Sequence, residues 1–175
     1  MESNETSAPE VTQKRAKKKV LTEKDIEELN SVMFRIMTAP DLKKFASYIV
    51  TAELADTLSN QKGPFMVFAP STEALESLSN EKKTFYSNPE NRAKLQEMLK
   101  SHIVEGNMNK EALLQAISRG KTKLKTLAGI TLTVSKAGEN IIISDGKGGK
   151  TTVKKSDIEG SNGILYVVDG VLNAN

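Results

Sequence analysis

Apolar side chains recur every three or four residues through most of the first 120 residues, which is the spacing that places them on one face of a helix. A segment that opens at Thr22 with a capping-box sequence carries the series Ile26, Leu29, Met33, Ile36 and Met37. A second helix is predicted from Asp41, just after Pro40. Its apolar positions are Leu42, Phe45, Ala46 and Ile49.

Two more helices are predicted before residue 121. Asn88 and Pro89 are residue types that begin a helix, and Gly106 is the type that ends one, so we expect a helix between them. Its apolar face consists of Leu95, Met98, Leu99, His102 and Ile103. A shorter helix is predicted from about Asn109 to Gly120, with inward positions Leu113, Leu114 and Ile117.

The period changes to two after Lys121, which is typical of half-buried strands. An earlier apolar run, Phe65 to Phe68, lies between Gly63-Pro64 and Pro70 and predicts a buried strand. Turn sequences separate the later strands, whose apolar positions include Ile130, Leu132, Val134, Ile141 to Ile143, Val153 and Ile164 to Val168. The pattern predicts an antiparallel sheet and an α+β fold, with helices first and strands after.

The distribution of charge along the chain bears on which partners the protein could bind. The 175 residues carry a net charge of +3, of which the first 20 residues contribute +2 through the basic cluster Lys14–Lys19. Residues 1–21 are polar without apolar periodicity and are predicted to be a disordered basic tail, followed by one domain over residues 22–175. Because the folded part has no concentrated basic excess, we expect no nucleic-acid partner.

Disulfides and thiolate metal sites are excluded because the chain has no cysteine. No apolar run approaches the roughly 18 residues that span a membrane. The acidic start Met1–Thr6 does not resemble a signal peptide. The chain is therefore either cytosolic or a mature secreted protein whose leader has been removed.

His102 is the only histidine in the sequence, and it lies among apolar neighbours. Nucleophilic catalysis needs a base that a third group positions, and a histidine metal site needs further ligands. We interpret His102 as a core residue with both ring nitrogens hydrogen bonded. A hydrolase using His102 is the competing hypothesis, and it requires solvent access. No catalytic, cofactor-binding or metal-binding residue is predicted, and we expect no cofactor.

Other polar groups have structural interpretations. The stretch Gly146–Thr151 resembles part of a phosphate-binding loop, but Ser144 stands where that loop needs glycine, so a hairpin turn is predicted. Asp157 and Asp169 are each expected at a strand end beside a turn, where a short carboxylate accepts backbone amides. An exposed sheet edge, where lysines also discourage aggregation, would hold Lys121, Lys123, Lys125, Lys154 and Lys155.

Three segments resemble, in order and spacing, the conserved segments of the fasciclin family: Gly63–Leu75, Leu99–Gly106 and Asp157–Leu172. The resemblance implies a twisted β-wedge or sandwich with a helical layer built mainly from the N-terminal half. It also implies that His102 approaches the Ser71 and Thr72 region. The motif residues, structural or partner-facing, are Phe68, Pro70, Ser71, Thr72, His102, Asp157, Asn162, Gly163 and Asp169.

The same resemblance implies a secreted or cell-surface binding and adhesion module that recognises a protein or glycan, not an enzyme. We expect an extracellular, periplasmic or cell-surface location, and the short cysteine-free chain favours a bacterial surface protein. Ser101 precedes His102 where some animal members have tyrosine, so their integrin binding is not carried over. The alternative is a carrier of an apolar small molecule in a cleft between helices and sheet, motivated by Met33, Met37, Met66, Met98 and Met108.

Overall fold

The computed structural model describes residues 20–173 except residues 24, 27–29 and 61–62, with the side chain of residue 60 also left out. The predicted disordered tail, apart from its last two residues, lies outside the described residues, as do the basic cluster Lys14–Lys19 and Leu29.

The helix predicted from Thr22 is interrupted. The capping box forms, since the amide of Asp25 donates to Thr22 Oγ1 at 3.1 Å and the amide of Thr22 donates to Asp25 Oδ2 at 3.0 Å. A new helix, α1 (Val32–Thr38), then begins because Ser31 Oγ accepts the Phe34 amide and acts as its N-cap. The prediction that Met37 faces the core is wrong, because this side chain is 59% exposed.

The remaining helices lie mostly in the N-terminal half. After a 3-10 turn at Pro40–Leu42 come α2 (Lys43–Thr51) and α3 (Ala55–Asn60). The predicted apolar face of α2 is confirmed, since Phe45 and Ile49 are fully buried. The later helices, with a 3-10 turn at Pro89–Asn91, are α4 (Thr72–Glu76), α5 (Asn80–Ser87), α6 (Arg92–Lys100) and α7 (Lys110–Ser118).

The helix that was predicted to reach Gly106 ends earlier. It stops at Lys100, and strand β2 (Ile103–Glu105) follows. The reason is tertiary pairing, since Ile103 and Val104 lie antiparallel to strand β1 (Phe65–Pro70). Their β-branched side chains suit a strand. Gly106 therefore follows a strand rather than ending a helix.

The remaining strands are β3 (Lys123–Lys125), β4 (Thr131–Ala137), β5 (Asn140–Ser144), β6 (Lys150–Gly160) and β7 (Gly163–Val168). Within the described residues they form one sheet in the order β2-β1-β7-β6-β5-β4-β3. The prediction of a wholly antiparallel sheet is wrong for one pair, because β1 and β7 are parallel from Phe65 opposite Gly163 to Pro70 opposite Val168. A β-bridge between Val104 and Thr126 joins the two edges and closes the sheet into a wedge.

Strands β1 and β7 divide the hydrophobic core in two. One face of each packs on the helices, through side chains such as Val67 and Leu165. The other face packs inside the wedge, where Met66 and Ile164 contact the apolar side chains of the later strands. Burial on both faces explains why the sequence of these strands is continuously apolar instead of alternating. The predicted α+β class is confirmed, with the helical layer on one side of the central strands.

Candidate functional site

His102 is fully buried directly after α6, with both ring nitrogens hydrogen bonded. Its Nδ1 lies 2.9 Å from the carbonyl oxygen of Met98, and its Nε2 lies 2.9 Å from the amide nitrogen of Leu172. The Leu172 amide can only donate, so Nε2 is the acceptor and Nδ1 carries the proton. The prediction that both nitrogens are satisfied is confirmed.

Burial lowers the pKa of His102 to about 4, while the hydrogen bond to Met98 and the nearby Asp145 carboxylate oppose this shift. The ring is therefore neutral at physiological pH. The hydrolase hypothesis required solvent access, and the exposed fraction of this residue is 0%. That requirement is not met.

The hydrogen bonds of the His102 ring do not involve Ser71 or Thr72. The imidazole instead bonds to the C-terminal segment at Leu172. The first conserved segment is bonded to His102 through the main chain, because the amide of Phe68 donates to the His102 carbonyl at 2.8 Å. The physical reason is the β1–β2 pairing, which brings the backbones together at this point.

A second buried polar contact holds the same C-terminal segment. The backbone N–H of Asn173 donates to Asp145 Oδ2 at 2.7 Å. The side-chain Nδ2 of Asn173 donates to Ser101 Oγ at 2.9 Å. Asp145 Oδ1 also accepts the amides of Lys147 and Gly149 at 2.7 and 2.8 Å. Burial alone raises the pKa of Asp145, but these backbone hydrogen bonds outweigh it and lower that pKa below its usual value. The sequence pattern indicated only a turn here and gave no sign of the buried role of Asp145.

Asn162 ties three elements together from the turn between β6 and β7. Its Oδ1 accepts the amide of Val32 and its Nδ2 donates to the carbonyl of Leu58, both at 2.9 Å. Its own carbonyl accepts the amide of Phe65 at 3.0 Å. Helices α1 and α3 and strand β1 are therefore fixed relative to one turn.

Gly163 is needed for close packing rather than for a positive φ. Its φ lies outside the left-handed region, and a Cβ at this position would lie 2.1 Å from the carbonyl oxygen of Phe65. Only glycine permits this approach between β7 and β1.

Asp157 and Asp169 both accept backbone amides. Asp169 Oδ1 accepts the Thr152 amide at 2.8 Å. Asp157 was expected beside a turn, but it lies inside β6 at a φ of +60°, where the pairing with β7 shifts register. This bulge turns its carboxylate toward the amide of Lys110 at 2.8 Å, at the start of α7.

Phe68 and Pro70 are buried structural residues. The Phe68 ring lies 4.9 Å from the ring of Tyr166 inside the wedge, and the Tyr166 hydroxyl donates to the carbonyl of Met108. Pro70 is buried at the end of β1, opposite Val168. Both side chains therefore contribute to the packing of the core.

A surface cleft of about 610 Å³ brings together Ser71, Thr72 and Asp169, three of the four motif residues that are not buried; the fourth, Asp157, does not line it. Ser71 and Thr72 follow β1, and Asp169 follows β7, so the parallel pairing of these strands places them side by side. The other lining residues are Asp41, Glu73, Lys154, Lys155 and Val167.

Both lysines that line this cleft are ion-paired. Lys154 Nζ lies 3.6 Å from Asp169 Oδ2, and Lys155 Nζ lies 3.0 Å from Asp41 Oδ2. Ser71 Oγ is occupied as the N-cap of α4, accepting the Ala74 amide at 3.2 Å. The cleft therefore has a polar rim over the buried side chain of Val167.

Thr72 also forms part of a neighbouring hollow of about 520 Å³ between α2 and α5. Tyr48, Tyr86 and Lys44 line it, and Lys44 Nζ lies 3.0 Å from Glu76 Oε2. This hydrogen bond raises the pKa of Lys44 and lowers that of Glu76, so both stay charged at neutral pH. The two hollows together extend the polar surface on either side of Thr72.

Of the five methionines that motivated the carrier alternative, Met98 lines a small hollow of about 190 Å³ within the described residues, together with mostly polar side chains. Met33, Met66 and Met98 are core side chains that are at most 2% exposed, and Met37 points into solvent. Neither the cleft at Ser71 nor the hollow beside it has a methionine in its lining. Core filling accounts for the three buried methionines.

Two further observations concern only the described residues. No cluster of three or more His, Cys, Asp or Glu side chains is arranged to hold a metal ion there. Of the helices in that part of the chain, none has the length and apolar character needed to cross a membrane.

Several curated proteins are similar to this chain. Protein sll1483 from Synechocystis sp. is 29% identical over 147 residues, covering 82% of this chain and 74% of that protein. Stabilin-1 from Mus musculus is 33% identical over 111 residues, or 63% of this chain and 4% of that protein. The transforming growth factor-beta-induced protein ig-h3 from Sus scrofa is 28% identical over 153 residues. That match spans 87% of this chain and 21% of ig-h3.

A solved structure of a FAS1 domain pair from the insect cell adhesion molecule fasciclin I shares the fold. The TM-score is 0.63 at 19% sequence identity, over 81% of this chain and 50% of that chain. The predicted wedge fold is therefore confirmed. The family model for the fasciclin domain matches residues 40–174, which is most of the sequence. The chain belongs to the fasciclin domain family.

Proposed function

We propose that this domain is an adhesion module that acts outside the cell and binds a protein or a glycan. The observation that carries the proposal is the family match over residues 40–174. A structural neighbour with the same fold comes from a protein described as a cell adhesion molecule. The burial of His102 supports a binding role over a hydrolytic one, because its imidazole has no access to a substrate.

The cleft around Thr72 is the binding site in this proposal. It combines hydroxyl groups, paired charges and one apolar side chain, which suits a sugar ring or a short polar peptide segment. Its walls stand at the ends of two buried strands, so the site is built on rigid elements.

A location at the cell exterior follows from this role, and we propose a bacterial surface protein. A bacterial relative, from Synechocystis sp., is matched over 74% of its length, whereas only small parts of Stabilin-1 and ig-h3 are matched. Immunodetection of the native protein on intact cells of its source, before and after surface proteolysis, tests this. Protection of the whole pool from protease would contradict an exterior location.

Solid-phase binding of the full chain to cells, matrix proteins and polysaccharides tests the adhesion role. A salt series separates specific binding from attraction by the basic tail, because exposed charges are screened over about 8 Å at physiological ionic strength. We expect saturable, salt-resistant binding to one component of the panel. Absence of such binding to every component would contradict the proposal.

A matched pair of variants locates the site. Thr72→Arg places a long side chain in the cleft, and Thr84→Arg makes the same change at an exposed position of α5 away from it. We expect the first variant to lose at least tenfold in affinity and the second to bind as the unmodified chain does. Equal binding by both variants, with unchanged melting temperatures, would exclude the cleft.

A further inference from the structure

Lysines and hydroxyl residues form a continuous surface on strands β3 to β6. Lys123 lies opposite Thr133, Thr133 opposite Ser144, and Ser144 opposite Lys150, so one row crosses four strands on a single face. A second row places Lys125 opposite Thr131. We name this surface the lysine–hydroxyl face, and its members are Lys123, Lys125, Thr131, Thr133, Ser144 and Lys150.

This face points away from the core. Side chains alternate along a strand, and the neighbours on the opposite face are apolar or buried: Leu124, Leu132, Val134, Ile143 and Thr151. The lysines of the lysine–hydroxyl face and Thr131 are exposed, and Thr133 and Ser144 are partly exposed.

The charges of this face are not neutralised by the described part of the chain. Lys154 and Lys155, which the sequence analysis grouped with the same edge, pair with Asp169 and Asp41. No ion pair within the described residues involves Lys123, Lys125 or Lys150. The six positions of the face include no carboxylate, so it presents only positive charge and hydroxyl groups.

Protection against edge aggregation explains only part of this arrangement. Among the described strands, β3 is last in the sheet order and only the single bridge at Thr126 joins it to β2, so that role fits Lys123 and Lys125. Lys150, however, lies at the first position of β6 and pairs with Ser144 of β5, three strands away from the β3 edge, so protection of that edge does not explain it. The row that links Lys123 to Lys150 therefore calls for another explanation.

The spacing suits an extended anionic chain. Strand geometry separates the Cα atoms of Lys123 and Lys125 by about 6.7 Å, and three interstrand steps separate Lys123 from Lys150 by about 14 Å. Thr133 and Ser144 fill the interval with hydroxyl groups, which can donate to and accept from sugar hydroxyls. Acidic groups spaced along a polysaccharide would form ion pairs with the lysines. The sugar hydroxyls between them would form hydrogen bonds with Thr133 and Ser144.

We propose that the lysine–hydroxyl face binds an acidic polysaccharide bearing sulfate or carboxylate groups. A single-stranded nucleic acid fits less well, because the face has no aromatic side chain on which bases could stack. This proposal goes beyond the adhesion role already argued, since it assigns a ligand class to a second surface that shares no residue with the cleft at Thr72.

Heparin affinity measures this directly, using the full chain so that the basic tail is common to every protein compared. The test variant combines Lys123→Gln, Lys125→Gln and Lys150→Gln. The control variant removes the same charge elsewhere through Lys43→Gln, Lys100→Gln and Lys147→Gln. We expect the test variant to lose at least tenfold in affinity and the control to stay within twofold of the unmodified chain.

The salt dependence gives a second readout. Each charge contact with a flexible polyanion contributes about 0.7 to the slope of log affinity against log salt, so losing three contacts should lower the slope by about 2. Equal slopes and affinities for the test and control variants would overturn the proposal and assign the binding to unspecific charge. Unfolding midpoints near that of the unmodified chain establish that each variant is folded.

Two further measurements separate the possible ligands and surfaces. Thr133→Val removes a hydroxyl at nearly constant volume, and it should weaken binding to heparin but not to inorganic polyphosphate. Tighter binding to a single-stranded oligonucleotide than to heparin, lost in the same triple variant, would overturn the choice of polysaccharide. Thr72→Arg should bind heparin as Thr84→Arg does, because both add the same charge, so failure at the cleft and failure at this face are distinguishable.

Discussion

Lowering the pH should destabilise this domain, because the pKa of His102 is lower in the folded protein than in the unfolded chain. The unfolded-state pKa of histidine is about 6.5, and the folded-state pKa is about 4. As the pH falls below the unfolded value, the unfolded chain binds a proton that the folded protein does not accept. Stability is therefore fully present above about pH 6.5, falls between the two pKa values and levels off below about pH 4.

The magnitude follows from the shift. One pKa unit corresponds to 1.36 kcal/mol, so the separation represents about 3 kcal/mol, of which about 2 kcal/mol is already lost near pH 5. The structural cause is local, because a protonated Nε2 would direct its N–H at the amide N–H of Leu172. Two donors would then face each other in a site with no exposure to water.

Urea unfolding at several pH values between about 7.5 and 4 provides the assay, with His102→Gln as the reference. Glutamine cannot titrate, and its side-chain oxygen can still accept the Leu172 amide. The unmodified protein should lose about 3 kcal/mol more than this variant across the window. Asp145 is present in both proteins, and its lowered pKa places its own contribution below about pH 3.9, so it cancels from the difference.

Parallel stability curves for the two proteins would refute this reasoning. A pKa near the ordinary value of 6.5 for His102, measured by NMR titration of the folded protein, would refute it too. Either result would mean that the folded protein accepts the proton at Nε2 and loses the hydrogen bond from the Leu172 amide without the expected cost in stability.

Three substitutions test the packing around the central strands. Asn162→Ala should cost about 2–4 kcal/mol in urea unfolding, because it leaves a buried amide and a buried carbonyl without partners; a cost below about 1 kcal/mol would contradict that bonding. Gly163→Ala should destabilise by more than about 3 kcal/mol, whereas Gly138→Ala, at a φ of +64° with no atom nearby, should cost only about 1 kcal/mol. Equal melting temperatures for these two variants would refute the close approach. Ser71→Ala should cost about 1 kcal/mol through loss of the helix cap, and no change in the unfolding midpoint would exclude that role.

Local patterns identified much of the fold. The periodicity that located Phe45 and Ile49, the capping box at Thr22 and the strand at Phe65 rests on interactions within a few residues, and such interactions are present in the sequence itself. The satisfied ring of His102 was also foreseeable, because a histidine among apolar neighbours must bond both nitrogens.

Long-range pairing accounts for most of what the sequence could not reveal. Ile103 continues an apolar helical pattern, and only the proximity of β1 makes it a strand residue. The partner of the His102 ring, Leu172, is 70 residues away, and no local signal identifies it. Asp145 lies in a glycine-rich turn, and its buried role depends on Asn173, 28 residues later. The glycines within this turn, Gly146, Gly148 and Gly149, indicated that its backbone bends tightly, but they did not indicate a buried carboxylate.

The parallel pairing of β1 with β7 has a consequence for biosynthesis. Within the described residues β1 is the first strand to leave the ribosome, and its parallel partner β7 is synthesised almost 100 residues later. Contacts of such long sequence separation slow folding, because the chain between the two strands loses conformational entropy before their hydrogen bonds can form. A nascent chain of this topology therefore remains open until its last strand emerges, and folding chaperones have that interval in which to act.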